Sequence, residues 1–275
     1  MRNAFSVDVE DYFHVEALSS VVDRESWAQR EYRAEVSTHR LLDLLADEQV
    51  HATFFVLGWV AKRSPQLVRA IHAAGHEVAC HGLTHQMVTR QTPAQFRAET
   101  LESKSFLQET VGAPVNGYRA ATYSITRESL WALDILAELG FTYDSSIFPI
   151  RHDLYGIPDA PRFPYRPTSR TLLEVPVTTV EFMGQRLPCG GGGYFRLLPY
   201  SLFRAALRRV NNRDQQAAVF YCHPWEVDPQ QPRVGGLSLK SRFRHYTNLS
   251  KMEGRLRQLL RDFSWGRMDE IFVGV

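Results

Sequence analysis

Several things are scarce in this 275-residue sequence, and each scarcity excludes a class of protein. Cysteine occurs three times, at Cys80, Cys189 and Cys222, an odd number at wide spacing. That excludes a disulfide framework and a C-x-x-C metal site. Cys80 and Cys222 sit inside apolar runs and are expected to be buried free thiols. Excess charge of one sign is also missing. Lys and Arg number 32 against 30 Asp and Glu, a balance of +2, so nothing demands nucleic acid or an anionic membrane as partner. No apolar run is long enough to span a bilayer, and Met1 to Asp8 meets an acid with no apolar leader segment. The expectation is a soluble, cytoplasmic protein of bacterial type with no integral membrane segment. Repeats, linkers and low-complexity stretches are absent as well. This leaves one domain over residues 1–275, with an irregular insert around 150–200, broken by Pro158, Pro161, Pro164 and Pro167, and a C-terminal helical extension around 235–265.

What is present is an alternation of short apolar runs and amphipathic segments. Ala4 to Val9, Ala52 to Leu57, Glu77 to Cys80, Pro114 to Tyr118, Phe141 to Ser146, Leu172 to Val177 and Ala217 to Cys222 read as strands, with Glu270 to Val273 as a closing one. Helices are expected at Glu35–Gln49, from Ser64-Pro65 to Gly75, and at Ala94–Val111. The last has Thr92 as N-cap and Pro93 in its first turn. Further helices follow near Glu128–Leu136, Leu202–Val210 and Ser241–Phe263. Polar residues gather at the C-terminal ends of the strands, the grammar of a parallel α/β barrel whose site lies at that face. Four groups stand out there. Asp8, Glu10 and Asp11 crowd one strand mouth, and three carboxylates so close repel unless a cation sits among them. His81 and His85 are four apart, so on a helical or tight-turn backbone both imidazoles can reach one point, as a divalent metal requires. Arg119 and His223 close two further strands. Cys189 to Arg196 contains a glycine run before a helix. It lacks the lysine of a phosphate-binding loop and the spacing of a dinucleotide fingerprint, so close backbone approach to a ligand, or a flexible turn, is the expectation.

In this order, Asp8-Val9-Glu10-Asp11, His81-Gly82-Leu83-Thr84-His85, Arg119-Ala120-Ala121-Thr122-Tyr123 and Tyr221-Cys222-His223 resemble the polysaccharide deacetylases, the NodB-homology group of carbohydrate esterase family 4. The segments Asp8 to Phe13, Gly191 to Pro199 and His223-Pro224-Trp225-Glu226 look like that family's exosortase-associated exopolysaccharide branch. The resemblance implies a distorted parallel (β/α) barrel of about seven strands. It also implies a metal-dependent hydrolase that removes N-acetyl groups from N-acetylhexosamine units of a bacterial polysaccharide or its precursor. A same-fold amidase acting on a non-sugar amide and a non-catalytic glycan-binding relative stay open. By resemblance His81 and His85 hold a divalent metal, zinc, with cobalt or nickel as alternatives, beside Glu10 or Asp11. Asp8 is the base, Arg119 orients it, and His223 protonates the departing amine. Three departures stand against the family pattern: Val9 where a second aspartate is usual, Gly82 where serine or threonine is usual, and Ala121-Thr122 in place of Pro-Tyr. Trp225 and Tyr123 are expected as packing residues or sugar platforms, and His14, His76 and His245 as structural or solvated.

Overall fold

A computed structural model describes residues 1–167 and 171–274. Among them the strands are β1 (Arg2–Val9), β2 (Thr53–Val56), β3 (Glu77–Cys80), β4 (Gly117–Tyr118), β5 (Tyr143–Asp144), β6 (Leu173–Glu174), β7 (Thr179–Phe182), β8 (Gln185–Pro188), β9 (Val219–Cys222) and β10 (Ser264–Gly266). The helices are α1 (Ala34–Asp47), α2 (Gly58–Arg63), α3 (Pro65–Ala73), α4 (Pro93–Val111), α5 (Trp131–Glu138), α6 (Gly192–Leu197), α7 (Tyr200–Asn212), α8 (Leu239–Tyr246) and α9 (Leu249–Asp262). The strands β9-β1-β2-β3-β4-β5-β6 lie side by side, all parallel, and β10 joins the start of β1. This is the α/β barrel of about seven strands that the sequence predicts, left open between β6 and β9. The segment after β6 bridges that opening. Val219 N donates to Thr178 Oγ1 (2.6 Å), and Tyr221 N donates to Gly190 O (2.7 Å).

Strand parity decides which side chains reach the site. Phe5, Val7 and Val9 of β1, Phe54 and Val56 of β2, and Val78 and Cys80 of β3 pack outward against Leu41, Leu45, Leu67 and Leu107 of the helices. The alternate positions Ala4, Phe55 and Ala79 fill the barrel with Tyr143, Val175, Val219 and Met268. On the same inward parity fall Asp8, one residue before Val9, and the residues that leave the strand ends, His81, Arg119 and His223. Val9 at the family's second aspartate position therefore points into the outer core and is fully buried there.

The structure corrects several local expectations. The closing strand is β10, pairing with Arg2–Ala4; Asp269–Val273 is a single π-helical turn whose Ile271, Phe272 and Val273 cover the bottom of the barrel. A short apolar run fits a strand or a buried helical turn equally well by periodicity. The helix expected over Ser241–Phe263 is two helices, α8 and α9, separated at Asn248, whose φ is +58°. The insert contains a hairpin, β7–β8, that turns at Met183-Gly184. Within the glycine run, Gly191 closely approaches the protein's own strand β9. Gly191 has φ +125°, and a Cβ there would lie 2.0 Å from Tyr221 O. All three cysteines are buried free thiols.

One buried carboxyl in the barrel floor carries a pH prediction. Glu77 accepts from Thr53 Oγ1 and from the Tyr143 hydroxyl (2.8 Å). Burial and the neighbouring Asp269 charge push it up from 4.5 to about 7. The folded state thus holds this proton more tightly than the unfolded one. Its stabilising contribution is complete below about pH 4.5 and is lost as pH rises through about 7. The melting midpoint of the wild type should fall across that window by the equivalent of roughly 1–3 kcal/mol more than that of Glu77→Gln. Parallel melting curves for the two proteins from pH 4 to 8 would refute it.

Candidate active site

Each site residue sits where a strand stops. β1 ends at Val9, and the chain turns at once, with Glu10 N donating to Asp8 O (3.0 Å), so that Glu10 re-enters on the side of Asp8. β3 ends at Cys80 and delivers His81. The stretch from His81 to His85 is neither strand nor helix. It bends through Gly82 (φ +75°) and His85 (φ +52°), and this loop, not a helical face, brings the two imidazoles to 5.4 Å between ring centres. The positive φ also accounts for glycine where the family has a hydroxyl residue. Thr84 Oγ1 instead donates to Glu99 (3.0 Å), away from the imidazoles.

Glu10, His81 and His85, all buried, place one ligand atom apiece within 4.8 Å of one another. His81 Nδ1 lies 2.8 Å from Arg119 O and donates to it, which leaves Nε2 as an acceptor facing the cluster. Glu10 Oε2 is buried, 2.6 Å from His85 Nε2, yet receives no directed hydrogen bond. Two imidazole nitrogens and an under-bonded carboxylate oxygen aimed at one point are a donor set that fits a divalent cation. Burial, with His85 adding to it, holds His81 down at about 4 against the pull of Asp8, so the ring stays neutral as a ligand must be. For Glu10 burial opposes ionisation, but His85 and His223 beside it hold it well below the usual carboxylate range.

Asp11, the other carboxylate expected as a ligand, is not in this cluster. Its Oδ2 accepts from the N–H groups of Arg33 (2.6 Å) and Ala34 (2.7 Å), and its Oδ1 from Tyr12 N (2.8 Å). Asp11 thus caps the start of α1, which has no capping side chain of its own. His14, beside it, accepts from Asp11 N through Nδ1 and is packed among Phe13, Trp27 and Trp59.

On one flank of the cluster stands Asp8. Arg119, fully buried, donates to Asp8 Oδ1 (2.6 Å) and Ser6 Oγ (2.8 Å) from Nη1, and to Ser145 Oγ (3.1 Å) from Nη2. The Tyr123 hydroxyl lies 3.5 Å from Asp8 Oδ2. Thr122 (φ +56°) and Tyr123 (φ +52°) are consecutive non-glycine residues in left-handed conformation, a strained pair at the cleft wall.

On the other flank is His223, with Nε2 3.4 Å from Glu10 Oε1 and 4.0 Å from Asp8 Oδ2. Its Nδ1 lies 3.1 Å from Glu226 Oε2. Burial alone would lower this imidazole. The Glu226 hydrogen bond and the charges of Glu10, Glu226 and Asp8 outweigh it, raising His223 to about 9. Glu226 is itself held at about 2, against burial, by Arg196 (2.6 Å) and His223. Neither Glu226 nor Arg196 was assigned a role from sequence. The signal was present in the Gly191 to Pro199 and His223 to Glu226 segments, but their contact spans 30 residues. Trp225 is sandwiched between His223 (5.2 Å) and His245 (4.3 Å) and also lines the cleft. His76 lies outside the cleft; its Nδ1 accepts from Ala52 N.

The cleft above these groups has a volume of about 560 Å³. Residues 29–143 match the family model for polysaccharide deacetylase, and residues 145–273 match that for a domain of unknown function, DUF3473. The chitooligosaccharide deacetylase of Bradyrhizobium sp. (strain ANU 289) is 35% identical over 100 residues, 36% of this chain and 43% of that protein. The chain thus spans less than half the length of this curated relative. Among solved structures, a Mycobacterium smegmatis protein assigned as a polysaccharide deacetylase superposes with a TM-score of 0.64 at 22% identity, covering 100% of this chain and 89% of its own. One from Pseudomonas aeruginosa PAO1, assigned likewise, gives 0.64 at 18% identity, covering 98% and 89%. Residues 29–143 thus resemble the polysaccharide deacetylases in sequence, and the whole chain shares the barrel fold of these solved structures.

Proposed function

We propose that the protein is a divalent-metal-dependent amidase that removes acetyl groups from N-acetylhexosamine units of a bacterial exopolysaccharide or its precursor. One observation carries this reading: the Glu10, His81 and His85 cluster stands between a carboxylate clamped by a buried arginine and a histidine backed by a carboxylate, in one cleft. A divalent cation held by Glu10, His81 and His85, zinc being the first choice for this donor set, would act as a Lewis acid beside the amide carbonyl. Asp8 takes a proton from the attacking water, and Arg119, bonded to its Oδ1, orients it for that task. His223 gives a proton to the departing amine from Nε2, because Glu226 occupies Nδ1. An amine leaves poorly unless protonated, and a histidine that holds its proton at neutral pH suits the step. The developing oxyanion falls to the backbone N–H of Ala121 or Thr122, since those of Ala120 and Tyr123 already bond to Ser146 Oγ and Ala120 O.

The test is acetate release from N-acetylglucosamine oligomers by metal-loaded and chelated protein. Chelator-sensitive release that His81→Ala abolishes is the expected result. Stoichiometric metal binding without acetate would move the reading to a non-sugar amide or a glycan-binding protein. Absence of metal binding would overturn it. Glu226→Gln keeps the shape but removes the charge behind His223, so kcat should fall by roughly ten- to a hundredfold with KM little changed. An unchanged kcat would remove Glu226 from the mechanism.

A further inference from the structure

The cleft has a basic wall that the deacetylation chemistry does not use. Lys240 and Arg244, one turn apart on α8, both line the cleft that holds Glu10, His81 and His223. Both are exposed, and among the described residues neither is ion-paired. The acids of the cleft are mostly engaged elsewhere: Asp8 with Arg119, Glu10 with His85 and His223, and Glu16 with Arg90 at 2.7 Å. Asp153, on the loop facing α8, is exposed beside His152. His152 stacks on Tyr155 at 3.8 Å, and burial, against Asp153 and with Arg244 and Lys240, holds its ring below the ordinary value. The field of the two α8 cations therefore reaches across the opening to the aromatic stack.

We propose that Lys240 and Arg244 form an anion subsite, so that the preferred substrate is an N-acetylated sugar bearing a carboxylate or a phosphate beside the reacting unit. This deepens, and rests on, the deacetylase reading of the same cleft. A guanidinium pairs with either anion in bidentate fashion, and a lysine beside it adds a point charge. Cations lining a concave cleft focus their field into it more than the same charges on an open surface. A neutral oligomer leaves both without a partner.

The test compares the metal-loaded wild type with the Lys240→Gln/Arg244→Gln double variant on three substrates. These are a neutral N-acetylglucosamine oligomer, an oligomer alternating N-acetylglucosamine with glucuronic acid, and N-acetylglucosamine 1-phosphate. The wild type should favour one anionic substrate over the neutral one by at least about tenfold in kcat/KM, and which one identifies the anion. The double variant should lose that advantage through KM, with its kcat and its turnover of the neutral oligomer unchanged. Equal use of all three by the wild type, or an equal loss on all three in the variant, would overturn the subsite. If no substrate releases acetate, the deacetylase reading fails separately, and calorimetric binding of the same three sugars decides the subsite. Tighter binding of an anionic sugar that the variant loses upholds it, and equal binding overturns it.

Discussion

Asp8→Asn is expected to lower acetate release at least about a thousandfold while leaving divalent-cation binding intact, within the range for loss of a general base. The substitution is nearly isosteric. Its amide oxygen can still accept from Arg119 Nη1, which also holds Ser6 Oγ, so the local frame persists. What is lost is the basicity of one oxygen pair, and no neighbour can take over. Glu10 is committed to the His81 and His85 cluster, and its carboxylate is less basic than usual. Calorimetric titration with zinc should give the same stoichiometry for variant and wild type, because Asp8 is not one of the three clustered ligand residues. Retention of a tenth of the wild-type rate would show that another group removes the proton.

Arg119→Met should be the most destabilising change at the site, costing about 3–5 kcal/mol, the range for breaking a buried ion pair from one side. The guanidinium is wholly buried, 4.0 Å above the Phe55 ring, and its hydrogen bonds reach β1 and the segment after β5. Its loss leaves the buried Asp8 carboxylate with only His223, 4.0 Å away, as a neighbouring cation, and Ser145 O without a donor. Urea unfolding should show a lower midpoint at unchanged slope. The Asp8→Asn/Arg119→Met double variant should recover part of the loss, because no unpaired charge then remains. A cost below about 1 kcal/mol in Arg119→Met would mean that water or another side chain takes the arginine's place.

The sequence made the strand ends legible because each buried strand is an apolar run that stops at a polar residue. Parity did the rest: in β1, once Val7 and Val9 face the helices, Asp8 must face the barrel. Less was legible where local pattern and tertiary contact part company. The three acids after Val7 look alike in sequence, yet Asp11 is drawn off by the bare start of α1, 22 and 23 residues on. Only the folded chain shows that α1 lacks a cap of its own. Arg196 and Glu226 are a similar case, since a glycine-rich stretch gives no hint that its arginine will sit beneath a histidine carried by another strand. Glycine itself was ambiguous, as a residue that lets backbone approach something does not say what. At Gly191 that something is β9.

The pairing of β1 bears on how the chain can be made. Its first residues, Arg2 to Ala4, pair with Ser264 to Gly266, and Ala4 to Val7 pair with Val219 to Cys222. During synthesis on a ribosome the strand that carries Asp8 emerges long before its partners on that side. Until then one edge of the central strand, rich in Phe5, Val7 and Val9, stays unsatisfied and prone to pair with the wrong chain. Contacts of such long sequence separation also slow folding. A nascent chain halted before residue 219 should therefore be a client of holding chaperones, with the two flanks of its cleft still unjoined.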